Sequence, residues 1–157
     1  MELTYDFLGH WLNVVDAKGR VSLPASLRQV VEKRLHPELS ASDFPADERK
    51  INLGEHEELA CLEGFDPTYT RYLAEEVTRR AADGGGDGGL AAWNREAADL
   101  FSAAVPVNYD DAGRMVISAM HRSFVGITNL AFFVGVGRSF QIWSPENFRR
   151  EQPHNKR

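Results

Sequence analysis

Two short segments of this chain bring a carboxylate, a glycine and an arginine together in the same order. They are Asp16-Ala17-Lys18-Gly19-Arg20 (the first turn) and Asp110-Asp111-Ala112-Gly113-Arg114 (the second turn), and corresponding residues are 94 positions apart. An arginine on a tight turn presents a planar fork of N–H donors that fits phosphate oxygens or the O6/N7 edge of guanine, and a lysine adds a point charge. The pattern therefore favours recognition of a repeated anionic ligand.

The similarity between the two segments continues past the turns. Aligning residues 16–28 with residues 110–122 gives five identities, where about one is expected by chance. Val21 and Leu23 also align with the apolar residues Met115 and Ile117. We interpret the chain as one supersecondary unit that is used twice.

Four residues are predicted to form the turns: Asp16, Gly19, Asp110 and Gly113. An aspartate at the start of a turn accepts hydrogen bonds from the amides that follow it. A glycine adopts the positive φ that a hairpin loop with a bulge requires. These residues are expected to shape the turns rather than to touch a ligand.

The candidate DNA-binding side chains are Lys18, Arg20, Arg114 and Arg28. The first two flank a turn glycine, so both can project from the tip of a loop. Arg20 can instead pair with Asp16 across the hairpin, and both roles coexist if the carboxylate aims the guanidinium. For Arg114, pairing with Asp110 or Asp111 and contact with DNA are both open.

Arg28 and Arg122 occupy equivalent positions in the segments that follow the two turns. Each could support a backbone phosphate of a nucleic acid. A solvated helix face is the interpretation that we favour for both.

Charge is distributed unevenly along the 157 residues, whose net charge is −5 at pH 7. Residues 1–34 carry +1, residues 35–105 carry −9 and residues 106–157 carry +3. Because the local field decides whether a phosphate backbone is attracted, the basic charge beside the two turns permits DNA binding by an acidic chain.

Enzymatic, metal-binding and membrane functions find little support in the sequence. The histidines are scattered without zinc-type spacing, and the glycine-rich residues 83–89 lack the G-K-[ST] ending of a phosphate loop. No apolar run approaches the length that spans a membrane, and the acidic start lacks the basic residues of a secretory signal. We expect no catalytic residue, cofactor, metal, membrane association or small-molecule substrate, and we expect the single cysteine, Cys61, to be a small buried hydrophobe.

The first turn needs strands and a helix to hold it. Apolar and alternating residues predict strands over 9–15 and 20–23, and Pro24 begins a helix that extends to Leu35. A long excursion over 36–58 is predicted to contain a short strand at 51–53, and another strand follows at 59–65. Asp66 and Pro67 predict the N-cap and first residue of a helix that reaches about residue 82.

The second half repeats this order after a predicted flexible joint at 83–89 and a helix over 90–104. Strands are predicted at 105–110 and 114–117, a short helix from 118 to Gly126, and a hairpin of residues 130–136 and 138–143. Ser144 and Pro145 repeat the cap and proline pattern and begin a terminal helix, and residues beyond 151 are expected to fray. Three aromatic residues could mediate contact between subunits, although a core position is favoured for each: Trp11, Trp143 and Phe148.

The ordered set of motifs resembles the MraZ family, a group of bacterial regulators linked to the division and cell-wall gene cluster. The residues that carry the resemblance are the run from Asp16 to Pro24, Asp110 with Gly113 and Arg114, and the run from Phe140 to Glu146. The resemblance extends from about Phe7 to Phe148, which is nearly the whole chain.

The resemblance implies an α+β fold, a pseudo-twofold β-barrel of two AbrB-like β-hairpin/helix halves with flanking helices. The halves are expected at residues 7–82 and 90–150 around one shared core, with the joint at 83–89 and a flexible tail at 151–157. Family members form rings and bind short direct repeats upstream of the operon that encodes them, through their D-x-x-G-R turns. The implied function is therefore that of a sequence-specific transcriptional regulator whose partners are double-stranded DNA and further copies of itself, located in the cytoplasm at the nucleoid.

Three features depart from the family pattern. Asp111 and Ala112 stand where the second turn often has basic or polar residues, residues 1–8 contain no arginine, and the glycine-rich joint is long. The first turn is therefore expected to carry most of the DNA contact, with the second turn mainly architectural. The alternatives are a non-enzymatic scaffold ring with weakened DNA contacts and an AbrB-type antitoxin, of which the second is disfavoured by the two motif copies.

Overall fold

Strands from the two ends of the chain are interleaved in one antiparallel sheet. The computed structural model describes residues 5–83, 95 and 104–151. The strands are β1 (His10–Val14), β2 (Arg20–Ser22), β3 (Lys50–Glu55), β4 (Leu62–Phe65), β5 (Val105–Asn108), β6 (Arg114–Val116), β7 (Leu130–Gly135) and β8 (Phe140–Trp143). The helices are α1 (Ala25–Leu35), α2 (Pro67–Asp83), α3 (Ala119–Val125) and α4 (Pro145–Glu151), with short 3-10 turns at Ala41–Asp43 and Ala46–Glu48.

The large sheet has the order β1-β7-β8-β4-β3-β5, and β2 pairs with β6 in a separate two-stranded ribbon. Strand β1 pairs with β7 so that Trp11 lies opposite Phe133, and β5 pairs with β3 so that Val105 lies opposite Leu53. Each copy of the motif therefore gives its first strand to the other copy. The prediction of an α+β fold is confirmed. Among the described strands, however, the large sheet has β1 and β5 as its edges, and hydrogen bonds do not close it into a barrel.

The two copies bury one continuous apolar cluster. Val21 and Leu23 of the first copy and Met115 and Ile117 of the second belong to it, together with side chains of α1 and of the large sheet. Burial of each large apolar side chain contributes about 1.5–3 kcal/mol to folding. The inner face of the ribbon is thereby fixed to the core, and its outer face is left to solvent.

Local signals begin and end the helices where the sequence predicts. Asp66 Oδ2 accepts a hydrogen bond from the Thr68 amide at the start of α2, and Ser144 Oγ accepts one from the Asn147 amide at the start of α4. Ser118 Oγ caps α3 in the same way through the amide of residue 121. The left-handed Gly126 ends α3.

The boundaries of β3 and β4 differ from the prediction. Strand β3 runs from Lys50 to Glu55 rather than over 51–53, and β4 begins at Leu62 rather than at 59. The intervening residues form the connection of a hairpin, in which His56 Nδ1 accepts hydrogen bonds from the amides of residues 58 and 59. Almost all of the predicted joint, most of the predicted helix over 90–104 and the tail beyond 151 lie outside the described residues.

The aromatic residues considered for subunit contacts are in or against the core. Trp143 is completely buried and Phe148 is nearly so, with their rings in edge-to-face contact. Trp11 is half-buried and packs against the main apolar cluster. The core interpretation of these three residues is confirmed.

Candidate nucleic-acid interface

The two turns are closed by the same hydrogen bonds. Asp16 Oδ1 accepts from the backbone N–H groups of residues 18 and 20, and Asp110 Oδ1 accepts from those of residues 112 and 114, each at 2.9 Å. Gly19 and Gly113 have the same φ of +84°, which is a left-handed conformation that favours glycine. The backbone of the two turns is therefore the same despite the different residues at their tips.

Each turn arginine pairs with the aspartate four residues before it. Arg20 Nε lies 2.5 Å from Asp16 Oδ2, and Arg114 Nε lies 2.7 Å from Asp110 Oδ2. The arginine side chains are nevertheless 61% and 70% exposed. Because these contacts engage Nε, each guanidinium retains further N–H donors on an exposed side chain. Pairing with aspartate and contact with a ligand are therefore compatible.

Both turn aspartates are held in their charged form. The backbone N–H of Arg20 is the largest influence that lowers the pKa of Asp16, and the side-chain hydrogen bond from Arg20 adds to it. The backbone N–H of Arg114 likewise lowers the pKa of Asp110 below its usual value. Each arginine thus faces a carboxylate that remains ionised well into the acid range.

The ribbon brings the two arginines onto one surface. Arg20 lies opposite Val116, and Arg114 lies opposite Ser22. Side chains two positions apart on a strand share a face, and here one face is exposed (Arg20, Ser22, Arg114 and Val116, the ribbon face) while the other is buried (Val21 and Met115). The two arginine Cα positions are about 7 Å apart along the strand direction.

The residues at the turn tips face solvent. Lys18, Asp111 and Ala112 are all exposed. Within the described part of the chain, the Lys18 ammonium makes no hydrogen bond or ion pair, so its charge is available beside Arg20. The first turn therefore presents two cations at its tip and ribbon end, whereas the second turn presents one arginine beside Asp111.

Arg28 and Arg122 lie elsewhere than the sequence predicts. Both are half-buried rather than on a solvated helix face. Arg28 Nη1 donates to the carbonyl oxygens of Ala112 and Leu23 at 2.5 and 3.0 Å, and Arg122 Nε donates to the carbonyl of Ile117 at 2.9 Å. Arg28 thus hydrogen-bonds to backbone of the second turn and of the residue after β2, and Arg122 to backbone of the residue after β6.

One anchor of the second turn is a contact that sequence reasoning missed. The Tyr109 hydroxyl donates to Glu32 Oε2 at 2.9 Å, with both residues buried. Burial, followed by the neighbouring Glu32 carboxylate, raises the pKa of Tyr109, so the hydroxyl remains a donor. The equivalent position in the first copy is the apolar Val15. A tyrosine at a position that is apolar in the other copy is the signal from which a buried polar partner could have been predicted.

The described residues contain no group of three or more metal-ligating side chains placed to hold an ion. Cys61 is completely buried, as expected, and burial raises the pKa of its thiol to about 12. Among the helices that the structure describes, none has the length and apolar character needed to cross a bilayer.

Comparison with known proteins identifies the relatives of this chain. A model of the MraZ family, described as "MraZ protein, putative antitoxin-like", matches residues 100–154. A protein named transcriptional regulator MraZ from Ruegeria sp. (strain TM1040) is 36% identical over 146 residues, which cover 90% of this chain and 79% of that protein. The chain belongs to the MraZ family.

Further members of the family agree with this assignment. The transcriptional regulators MraZ of Rhizobium rhizogenes and Rhizobium meliloti are 35% and 34% identical to this chain, and each alignment covers 93% of this chain and 88% of the relative. These MraZ proteins are named as regulators of transcription and not as enzymes, in agreement with the prediction that this chain has no catalytic activity.

Proposed function

We propose that this protein is a sequence-specific DNA-binding transcriptional regulator that contacts DNA through its two turns and the ribbon face between them. The observation that carries the proposal is the placement of Arg20 and Arg114 on one exposed surface, each aimed by an aspartate. The names of the MraZ relatives support the same function.

The chemistry of the surface suits a nucleic acid. Arginine offers a planar fork for guanine O6/N7 or for phosphate, and Lys18 adds a mobile charge for the backbone. The aspartates restrict the directions in which the arginines point, which favours a defined base or phosphate over diffuse attraction. We assign direct contact to Lys18, Arg20 and Arg114.

A few cations per subunit bind DNA weakly, since affinity for the phosphate backbone rises with the number of contacts. We propose that several subunits assemble into a ring and meet successive short direct repeats, so that linked contacts raise the overall affinity. In this proposal the repeats lie upstream of the division and cell-wall gene cluster, and the protein acts at the nucleoid.

We also propose that residues 7–82 and 90–150 are two AbrB-like halves joined at 83–89 around one core. The exchange of β1 and β5 between the copies and the matching hydrogen bonds of the two turns support a pseudo-twofold relation. In this arrangement the ribbon lies between the two edge strands, β1 and β5, and completes a barrel-like body.

The test is a gel-shift titration of the purified protein against the region upstream of its own gene and against a scrambled fragment of equal length. We expect a salt-sensitive shift that requires the repeats. Arg20→Ala should weaken it by at least tenfold, Arg114→Ala should also weaken it, and Arg149→Ala, an exposed arginine on α4, should leave it unchanged. Normal binding by Arg20→Ala would show that this surface is not the interface.

A second candidate, a scaffold ring without specific DNA binding, is favoured by one observation. Both turn arginines are paired with carboxylates, and the chain as a whole is acidic. The same titration separates the two functions, because a scaffold gives no repeat-dependent shift at any salt concentration.

A further inference from the structure

We infer that Arg28 and Arg122 are positioning residues that lock each turn to the opposite copy of the motif, so that the two turns behave as one unit. The effect on DNA recognition depends on the function proposed above. The lock itself is a property of the free protein and can be tested without DNA.

The first half of the lock extends from α1 to the second turn. Arg28 stands on α1, eight residues beyond the first turn, yet its Nη1 donates to the carbonyl of Ala112 at 2.5 Å. The same nitrogen donates to the carbonyl of Leu23 at 3.0 Å. One guanidinium therefore joins the end of the first copy's ribbon strand to the tip of the second copy's turn.

The second half of the lock extends from α3 to the first turn. Arg122 stands on α3 and donates through Nε to the carbonyl of Ile117 at 2.9 Å. A Cβ added to Gly19 would lie 2.8 Å from this Nε, so the guanidinium rests directly against the first turn. A Cβ added to Gly113 would lie only 1.7 Å from Arg28 Nη1, so each turn glycine also makes room for the arginine of the other copy.

Backbone hydrogen bonds connect the same places. The Leu23 amide donates to the carbonyl of Gly113 at 2.7 Å, and the Ile117 amide donates to the carbonyl of Gly19 at 2.9 Å. The two bonds lie at equivalent positions, 94 residues apart. Each turn thus accepts one backbone hydrogen bond from the other half of the molecule. The second turn also accepts a hydrogen bond from Arg28, and the first turn packs against Arg122.

The consequence is that neither turn can open without disturbing the other copy. A ligand that orders one turn also stabilises the helix arginine and the strand end of the other copy, which contact that turn. The second turn, although poorer in cations, is thereby part of the recognition unit. Contact with a backbone phosphate, which the sequence allows for Arg28, is the competing role.

The first experiment measures amide hydrogen exchange in the free protein. Arg28→Ala should speed amide exchange about five- to tenfold at residues 112–114, because the turn that protects these amides opens more readily without the hydrogen bond from Arg28. A smaller change is expected at residues 18–20. Arg122→Ala should show the reverse pattern, and Arg149→Ala should change neither turn. Loosening confined to each variant's own turn, with the opposite turn unchanged, would overturn the inference.

The second experiment measures DNA affinity across a range of salt concentrations. Removing a phosphate contact lowers the slope of log K against log salt by about 0.9, and this reduction is expected for Lys18→Ala. A positioning residue weakens binding at every salt concentration and leaves the slope unchanged, and this result is expected for Arg28→Ala. A slope reduced in Arg28→Ala as in Lys18→Ala would assign Arg28 to a phosphate and reject the positioning role. If the unaltered protein fails to bind DNA, the proposed function is wrong. The exchange experiment still tests whether Arg28 and Arg122 hold the turns of the opposite copies.

Discussion

Each turn aspartate serves both the backbone and the side chain of the arginine that follows it. One carboxylate oxygen accepts the two turn amides, and the other faces the arginine Nε. An exposed pair of this kind stabilises a fold only slightly, so its main effect is on direction. An arginine held by its Nε has fewer conformations to lose when it meets a ligand, which lowers the entropic cost of binding.

Carboxyl titration followed by NMR should give midpoints below about 3.9, the usual aspartate value, for both Asp16 and Asp110. Their pKa values are lowered by amide and arginine donors in the folded state. A lowered folded pKa means that the contribution to stability is complete above the unfolded value and is lost as pH falls through the folded value. The turns should therefore stay closed at neutral pH and loosen only in strong acid.

The matched control for this titration is Arg20→Ala. It should raise the Asp16 midpoint towards the usual value and leave that of Asp110 unchanged, because each arginine donates to its own aspartate. A midpoint at or above 3.9 in the unaltered protein would contradict the hydrogen bonding described for the turns.

At the scale of elements, short motifs in the sequence predicted those helix ends that are set by interactions between neighbouring residues. The caps at Asp66, Ser118 and Ser144 and the glycine at 126 depend on residues within four positions of each other, so their helices could be predicted. The exchange of β1 and β5 between the copies could not be predicted, because each pairs with a strand more than 50 positions away in the sequence. Such pairing depends on register and on which faces are buried.

The same limit applies to the candidate interface. The sequence predicted which residues form the turns and which cations stand on them. It did not predict that Arg20 and Arg114 share a face, since this follows from the β2–β6 register. It also misplaced Arg28, because the carbonyl that accepts its hydrogen bond lies 84 residues away.

The fit between a turn glycine and the opposite arginine leads to a prediction about stability. Gly113→Ala should lower the free energy of unfolding by clearly more than Gly137→Ala, measured by urea denaturation. Both glycines have a left-handed φ, +84° and +91°, but a Cβ at Gly137 would meet nothing within 4 Å. The control should therefore lose about 1 kcal/mol for backbone strain alone, and equal losses in the two variants would contradict the close packing of Arg28 on the second turn.

At the scale of the whole molecule, one buried arginine ties the beginning of the described chain to the connection between β7 and β8. Arg34 on α1 donates to the carbonyl of Tyr5, to the carbonyl of Arg138 between β7 and β8, and to Asp66 at the start of α2. Its guanidinium also lies over the ring of Phe7, 4.7 Å from the centroid. Segments that are far apart in sequence are thus held in one place around a single charge.

The Arg34–Asp66 pair should consequently matter far more than a surface pair. The two side chains are 1% and 0% exposed and 2.8 Å apart, and removing one partner of a buried ion pair typically costs about 3–5 kcal/mol. We expect Asp66→Asn to lose stability in this range by urea denaturation, because the amide keeps the size of the side chain but removes the negative charge. Glu76→Gln, which alters the more exposed pair with Arg79 on α2 (side chains 25% and 62% exposed), should change the urea midpoint far less. Equal midpoints for the two variants would show that the carbonyl oxygens around Arg34 suffice to hold its charge.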